Sequence, residues 1–231
     1  MIRATAVVPT KNEAQNIGPF LESLPRYLPL VVVDSSEDET PEIVMRTRPR
    51  RTTVIRTDVG IAEARQIGAE LADTDWVLFT DADVRFPPDY FDQLLTEPLA
   101  TEVGGIVGTK LSAGGYERYH RWFLRGQRLA AVVGIPAATG SNMLIRSDAL
   151  YDCGGFDLDL TVNEDSEVMW RVQRAGYRVR FRPDLVVYAT DHRRLHRGAG
   201  RKWAHSIGRC TLLYLGLMPR RLRGADWGYW A

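Results

Sequence analysis

The sequence predicts an α/β protein built on a doubly wound, mostly parallel sheet flanked by helices. Three observations predict it. Short apolar runs recur through the N-terminal half, and each stops at a polar residue, as buried strands do. Segments with apolar residues at helical spacing lie between them, and that alternation is the rhythm of parallel β-α-β units. The chain has 231 residues, 45% hydrophobic and 26% charged, enough for one sizeable domain and too few for two independent ones.

Element by element, Ala4–Pro9 reads as a first strand, and Asn12-Glu13-Ala14-Gln15-Asn16 opens a helix running to Leu24. Leu30–Val33 is a second strand ending at Asp34, followed by a polar loop and a helix start at Thr40-Pro41. Thr53–Arg56 is a third strand. Beyond Gly60, Ile61, Ala64, Ile67, Gly68 and Leu71 fall on one helical face. Trp76–Phe79 is a fourth strand. Further on, Gly104–Lys110 and Asn142–Arg146 read as strands, Arg118–Val133 as a helix, and Asp165–Ala175 as a helix stopped by Gly176. Tyr177–Phe181 alternates like a half-buried strand, and Leu185–Tyr188 is strand-like. No linker divides the chain. It reads as one domain with a donor half (about 1–110), an acceptor half (about 111–200) and a C-terminal helical extension (about 201–231).

Bulk properties narrow the class. A formal net charge of +1 argues against a nucleic-acid partner, and two cysteines, Cys153 and Cys210, make no disulfide framework. The N-terminus lacks a secretory apolar segment, and no stretch approaches the ~18 to 20 apolar residues that span a bilayer. A cytoplasmic protein is expected. Charge is uneven, however: His192–Ala225 holds nine Lys or Arg and no Asp or Glu, around the apolar stretch Trp203–Met218. A basic, aromatic-bearing apolar helix can lie on a membrane surface, so a peripheral contact through about 201–223 is one expectation; packing on the domain is the other.

The fourth strand runs straight into Thr80-Asp81-Ala82-Asp83. In α/β sheets the carboxyl ends of strands are where ligands bind. Two carboxylates there concentrate negative charge, which a hard divalent cation shared with substrate phosphates offsets. By itself an Asp-x-Asp pair also closes turns and caps helices.

Four features stand in order: Val8-Pro9-Thr10-Lys11-Asn12-Glu13, Asp34, the Asp81/Asp83 pair, and Asn163-Glu164-Asp165 before a helix. With Gly60–Gly68, Gly140-Ser141-Asn142-Met143 and Cys153-Gly154-Gly155-Phe156-Asp157, this series resembles the family 2 glycosyltransferases of GT-A fold over about residues 4–192. The resemblance implies a nucleotide-diphosphate sugar donor, a divalent cation (Mn²⁺ or Mg²⁺) and inverting transfer of a sugar to a saccharide or lipid-linked acceptor. Pro9, Thr10, Asn12, Glu13, Asp34, Arg65, Asp81 and Ala82 would meet the donor. Gly140, Ser141, Asn142 and Trp170 would meet the acceptor or sugar. Asp83, Asp81 and His192 would hold the metal. Asp165 would be the general base, with Glu164 orienting it or touching the acceptor. Two departures are visible: Lys11 stands where members often have Tyr or Phe, and the Gln-x-x-Arg-Trp motif of processive synthases is absent, which favours single-sugar transfer.

Rival readings make different demands. A haloacid-dehalogenase-like phosphatase also has Asp-x-Asp after an apolar strand, but near the start of its domain, whereas two β-α units precede Asp81. A sugar nucleotidyltransferase would carry a glycine-rich loop after the first strand. A catalytically silent sugar-binding protein on the same fold would have no need of Asp81, Asp83 and Asp165 together.

Overall fold

The computed structural model describes residues 3–95, 100–190 and 199–225. Its core is an eight-stranded sheet in the order β3-β2-β1-β4-β7-β6-β8-β5. The N-terminal half is the parallel unit the sequence predicts. Strands β1 (Ala4–Thr10), β2 (Leu30–Asp34), β3 (Thr52–Arg56) and β4 (Trp76–Phe79) run parallel around β1. Helices α1 (Ile17–Ser23), α2 (Thr40–Thr47) and α3 (Ile61–Glu70) connect them.

Strands β1, β2 and β4 are buried on both faces, and their alternation shows which helix covers which. Ala6, Val8, Val32 and Leu78 point into a cluster with Phe20 of α1, Val44 of α2 and Phe91 of α4 (Tyr90–Leu95). Val7, Val31, Val33, Val77 and Phe79 point the opposite way, against Ala62 and Ala64 of α3. Two-sided burial explains why the strands read as continuous apolar runs. Gly68 lets α3 sit close on the sheet, since a Cβ there would meet Val7 Cγ1 at 2.2 Å.

The C-terminal half is mixed. Strand β7 (Met143–Arg146) lies antiparallel between β4 and β6 (Val103–Ser112). Strand β8 (Arg178–Ala189) runs parallel to β6, with register shifts at Val103/Gly105 and Val107/Thr109, and fuses the two C-terminal strand segments expected from the sequence. A two-residue strand, β5 (Val84–Arg85), follows the acidic pair and is tied antiparallel to β8 at Ala189 and Tyr188. Helix α5 (Glu117–Val132) flanks β6, while α6 (Ser147–Asp152) and α7 (Glu164–Arg174) cover the same face as α3. Helix α8 (Ala199–Tyr214) and the single turn α9 (Arg220–Arg223) form the C-terminal extension. Among the described residues, no helix is long and apolar enough to cross a membrane.

One boundary departs from expectation. Helix α1 begins at Ile17, because Asn12–Asn16 forms a loop locked to the segment after β2. Asn12 takes a left-handed conformation (φ 56°), its N–H donates to Ser36 Oγ at 2.8 Å, and Glu37 N–H donates back to its side-chain oxygen at 2.9 Å. The Glu13 N–H donates to Thr40 Oγ1 at 2.9 Å. The left-handed backbone at Asn12 is what keeps a right-handed helix from starting there.

Candidate active site

Most of the side chains expected at the site gather at the carboxyl ends of β1, β2 and β4 and at the start of α7. On the β1–β2 side, Asp34 is buried and held by its neighbours. Thr10 Oγ1 donates to it at 2.6 Å, Ser36 Oγ at 2.7 Å and Ser36 N–H at 3.2 Å, and Arg56 Nε stands 3.8 Å away. Asp34 thus braces the loop that carries Asn12 and Glu13. Glu13 in turn accepts from Asn16 Nδ2 at 2.6 Å.

Across β4, Arg65 of α3 is the hub. It is 1% exposed, and its guanidinium bonds Glu164 through Nη1 and Asp81 through Nη2, the latter at 3.0 Å. Gly140 makes room for it, since a Cβ there would sit 2.1 Å from Nη2. The Gly140 N–H donates to Asp165 Oδ2 at 2.8 Å, and Ser166 N–H holds Oδ1 at 2.6 Å. Ser141 Oγ donates to Asp81 Oδ2. Lys110 Nζ, from β6, lies 3.5 Å from Asp83 Oδ1 and 3.9 Å from Asp81 Oδ2, and donates to Ser141 Oγ at 2.8 Å. Asp83 is also fixed by its backbone, whose carbonyl accepts from Thr190 N–H at 2.8 Å and Thr190 Oγ1 at 2.9 Å. A continuous chain of contacts therefore joins Asp83, Lys110, Ser141, Asp81, Arg65 and Glu164.

Electrostatics follow from this packing. Burial pushes Glu164 up to about 7, although Arg65 pulls it down and Asp165 pushes it further up. Burial likewise raises Asp165 above the usual aspartate range, against the opposing pull of Arg65 and the two backbone donors. A carboxylate held above its ordinary pKa is a better proton acceptor once ionised. With Asp81, Asp83, Glu164 and Asp165 ionised beside Arg65 and Lys110, the cluster has a formal excess of two negative charges.

The donor set fits a hard divalent cation in part. Asp81 and Asp83 offer carboxylate oxygens on side chains that remain about a quarter exposed, at 27% and 25%. Among the described residues, no three His, Cys, Asp or Glu side chains form a ready-made metal site. Oxygens from a bound diphosphate would have to complete the sphere, the usual way Mg²⁺ is held. His192, expected as a ligand, lies outside the described residues.

Three residues expected to meet ligand are buried in this structure with partners inside the protein. Arg65 is sealed under the acids and orders them, so it has no open face for a base or phosphate. Trp170 is 4% exposed, its Nε1–H donates to Pro136 O at 2.7 Å, and its ring packs edge-on against Tyr214 of α8 at 5.2 Å. It belongs to the packing under the C-terminal helix rather than to an acceptor surface. Asn142 is fully buried and pins strands: its Nδ2 donates to Thr109 O at 3.0 Å and Leu185 O at 2.9 Å, and its Oδ1 accepts from Tyr90 OH at 2.6 Å. Ala82 is buried between the two aspartates and Pro9 is partly exposed at the mouth of β1. Sequence reasoning missed Lys110, whose one signal is its being the lone charge in the strand Val103–Ser112.

A braced loop after β1, an acidic pair after β4 and a buried acid at the head of a helix come together on a sheet of GT-A type. Comparison with known proteins agrees. The model of Glycosyl transferase family 2 matches residues 5–154, and the chain belongs to that family. The chain is 31% identical over 204 residues to a pre-mycofactocin glycosyltransferase of Mycobacterium tuberculosis, covering 82% of this chain and 43% of that protein. It is 30% identical over 194 residues to the succinoglycan biosynthesis protein ExoA of Rhizobium meliloti, covering 75% and 58%. It thus spans about half the length of these relatives. Among solved structures, the mannosyltransferase PcManGT of Pyrobaculum calidifontis, in complex with GDP-Man and Mn²⁺, superposes with a TM-score of 0.69 at 27% identity, over 90% of this chain and 64% of that one. S. aureus TarS in complex with UDP-GlcNAc shares the fold, with a TM-score of 0.65 at 20% identity over 83% and 59%.

Proposed function

We propose that this domain transfers one sugar from a nucleoside-diphosphate sugar to an acceptor hydroxyl or phosphate, with inversion and with Asp165 as general base. The observation that carries the reading is Arg65, one buried cation that ties Asp81 at the donor side to Glu164, the neighbour of the base. That tie supports reading the donor and base sides as one site. Likeness to a mannosyltransferase crystallised with GDP-Man and Mn²⁺ supports a nucleotide-sugar donor and a divalent cation.

Pro9, Thr10, Asn12, Glu13 and Asp34 form the nucleoside side, with Asp34 acting mainly by bracing Thr10 and Ser36. Asp83 and Asp81 would hold Mn²⁺ or Mg²⁺, with His192 as a further ligand. When bound, the ion supplies positive charge for the departing diphosphate, where negative charge develops. Lys110 stands beside the same pair, bonded to Ser141 Oγ, and its charge competes with the ion for the two carboxylates. Asp165 faces the acceptor with both oxygens oriented by backbone donors. It removes the proton of the acceptor hydroxyl as that oxygen bonds the anomeric carbon and the bond to the diphosphate breaks. Glu164 keeps Arg65 in position. Gly140 and Ser141 line the transferred sugar. The basic segment 201–223 contacts an anionic membrane surface on the cytoplasmic side, which suits a lipid-linked acceptor.

Two variants test the assignment. Asp165→Asn should lower transfer about 10²–10⁴-fold, the scale of a lost general base, while leaving donor affinity unchanged in calorimetric titration. Asp83→Ala should weaken donor binding only when Mn²⁺ is present. Undiminished turnover in either variant removes that residue from the mechanism. Absence of transfer from every sugar nucleotide by the unaltered chain would favour the silent sugar-binding reading.

A further inference from the structure

Helix α5 is turned inside out. Its buried positions are polar: His120 Nδ1 lies 3.1 Å from Lys110 O, and Gln127 Nε2 donates to Ala137 O at 2.9 Å. Its outward side carries large apolar side chains among charged ones: Trp122, Leu129, Val132 and, at the helix end, Val133 are between 63% and 83% exposed. A surface helix normally points its apolar stripe at the core, so this pattern marks a face made for an apolar environment outside the domain. Arginines interleave it. Arg118, Arg121, Arg125 and Arg128 are exposed, against one acid, Glu117, and the Arg125 guanidinium stacks over Trp122 at 5.2 Å.

The face does not end with the helix. Ile135, just past Val133, packs in the cluster of Leu213, Met218 and Leu222 from the C-terminal extension. Leu215 and Leu217, on the turn leaving α8, are 59% and 64% exposed, and Arg220 and Arg221 follow, also exposed. Two elements distant in sequence thus meet through Ile135, and each carries exposed apolar tips and arginines close to that junction in the chain.

We infer that α5 and the turn after α8 together form a docking surface for an anionic bilayer, with the apolar tips entering the headgroup layer and the arginines meeting lipid phosphates. The charge selects this occupant. Residues 117–133 carry four arginines against one glutamate, a bias suited to anionic lipid and unfavourable between two copies of the same face. Helix α5 packs on β6, the strand carrying Lys110, so docking there would hold the acidic cleft near the membrane plane, within reach of a lipid-linked acceptor. The inference extends the C-terminal contact proposed above and rests on it for half of the surface.

Co-sedimentation of the full chain with phosphatidylcholine vesicles, with and without phosphatidylglycerol, tests it. The unaltered chain should bind only the anionic vesicles, and less as salt rises. Leu129→Glu with Val132→Glu on α5 should lower the bound fraction at least tenfold, with the melting temperature unchanged because both side chains are exposed. Leu215→Glu with Leu217→Glu should do the same. Loss only in the second pair would overturn the role of α5 and keep the C-terminal contact. Loss only in the first would keep α5 and remove the C-terminal contact. Equal binding to neutral vesicles, or a dimer in light scattering that the α5 pair splits with no vesicle binding, would overturn the inference.

Discussion

Replacing Arg65 with Met gives the sharpest test of how the site is assembled. The side chain is 1% exposed and touches Asp81 and Glu164, with Asp165 close enough to feel its charge. Met fills much of the volume but leaves buried acids without their shared cation. Breaking a buried pair by removing one partner costs about 3–5 kcal/mol. In a domain of this size that lowers the melting temperature by on the order of 10 °C. The loss should depend on pH, and its sign can be worked out. Glu164 holds its proton up to about 7 in the folded chain because burial raises it. Folded-state protonation of a group raised in this way favours the fold at low pH, and the advantage fades as pH rises through the folded value. Near pH 5.5 Glu164 is neutral and needs Arg65 less; near pH 8 it is charged and the full penalty is felt. Urea unfolding of Arg65→Met and the unaltered chain should therefore give a difference that grows from about pH 5.5 to about pH 8. An equal difference at both values would refute the electrostatic role and leave only packing.

Two further outcomes follow from the same geometry. The acid limb of kcat/KM should lie above the ordinary aspartate range, because burial raises Asp165, and Glu164→Gln should move it to lower pH by removing a like charge; a limb at the ordinary aspartate value would contradict the burial of Asp165. Lys110→Met should tighten Mn²⁺ binding measured without nucleotide, on the order of tenfold, because a unit charge beside the Asp81/Asp83 pair is gone; weaker binding would mean that Lys110 preorganises the pair rather than competing with the ion.

The parallel half was legible because burial on both faces leaves an unmistakable mark: an apolar run cut short by a polar residue. Direction was not legible in the C-terminal half. Met143–Arg146 reads as a strand either way, and only its insertion between β4 and β6 makes it antiparallel. Strand β5 is two residues long and exists through its pairing with β8, so no local pattern announces it. At the site, residue type and order pointed to Asp34, Asp81, Asp83 and Asp165, but spacing says nothing about depth. Arg65, Asn142 and Trp170 were expected to touch ligand, and each is spent inside the protein on other side chains or carbonyls. Lys110 escaped for the opposite reason: a single lysine near a strand end reads as solvent-facing until β7 brings Ser141 beside it.

Arg65 lies on α3, whereas Gly140 and Glu164, which accommodate and neutralise it, come from the later part of the chain. Chimaeras that splice the N-terminal portion of one family member to the C-terminal portion of another, in search of new acceptors, will inherit this dependency across the seam. A recipient lacking the glycine would crowd the guanidinium, and one lacking the glutamate would strand its charge. Recombination libraries built on this scaffold should carry the three positions as one inseparable cassette.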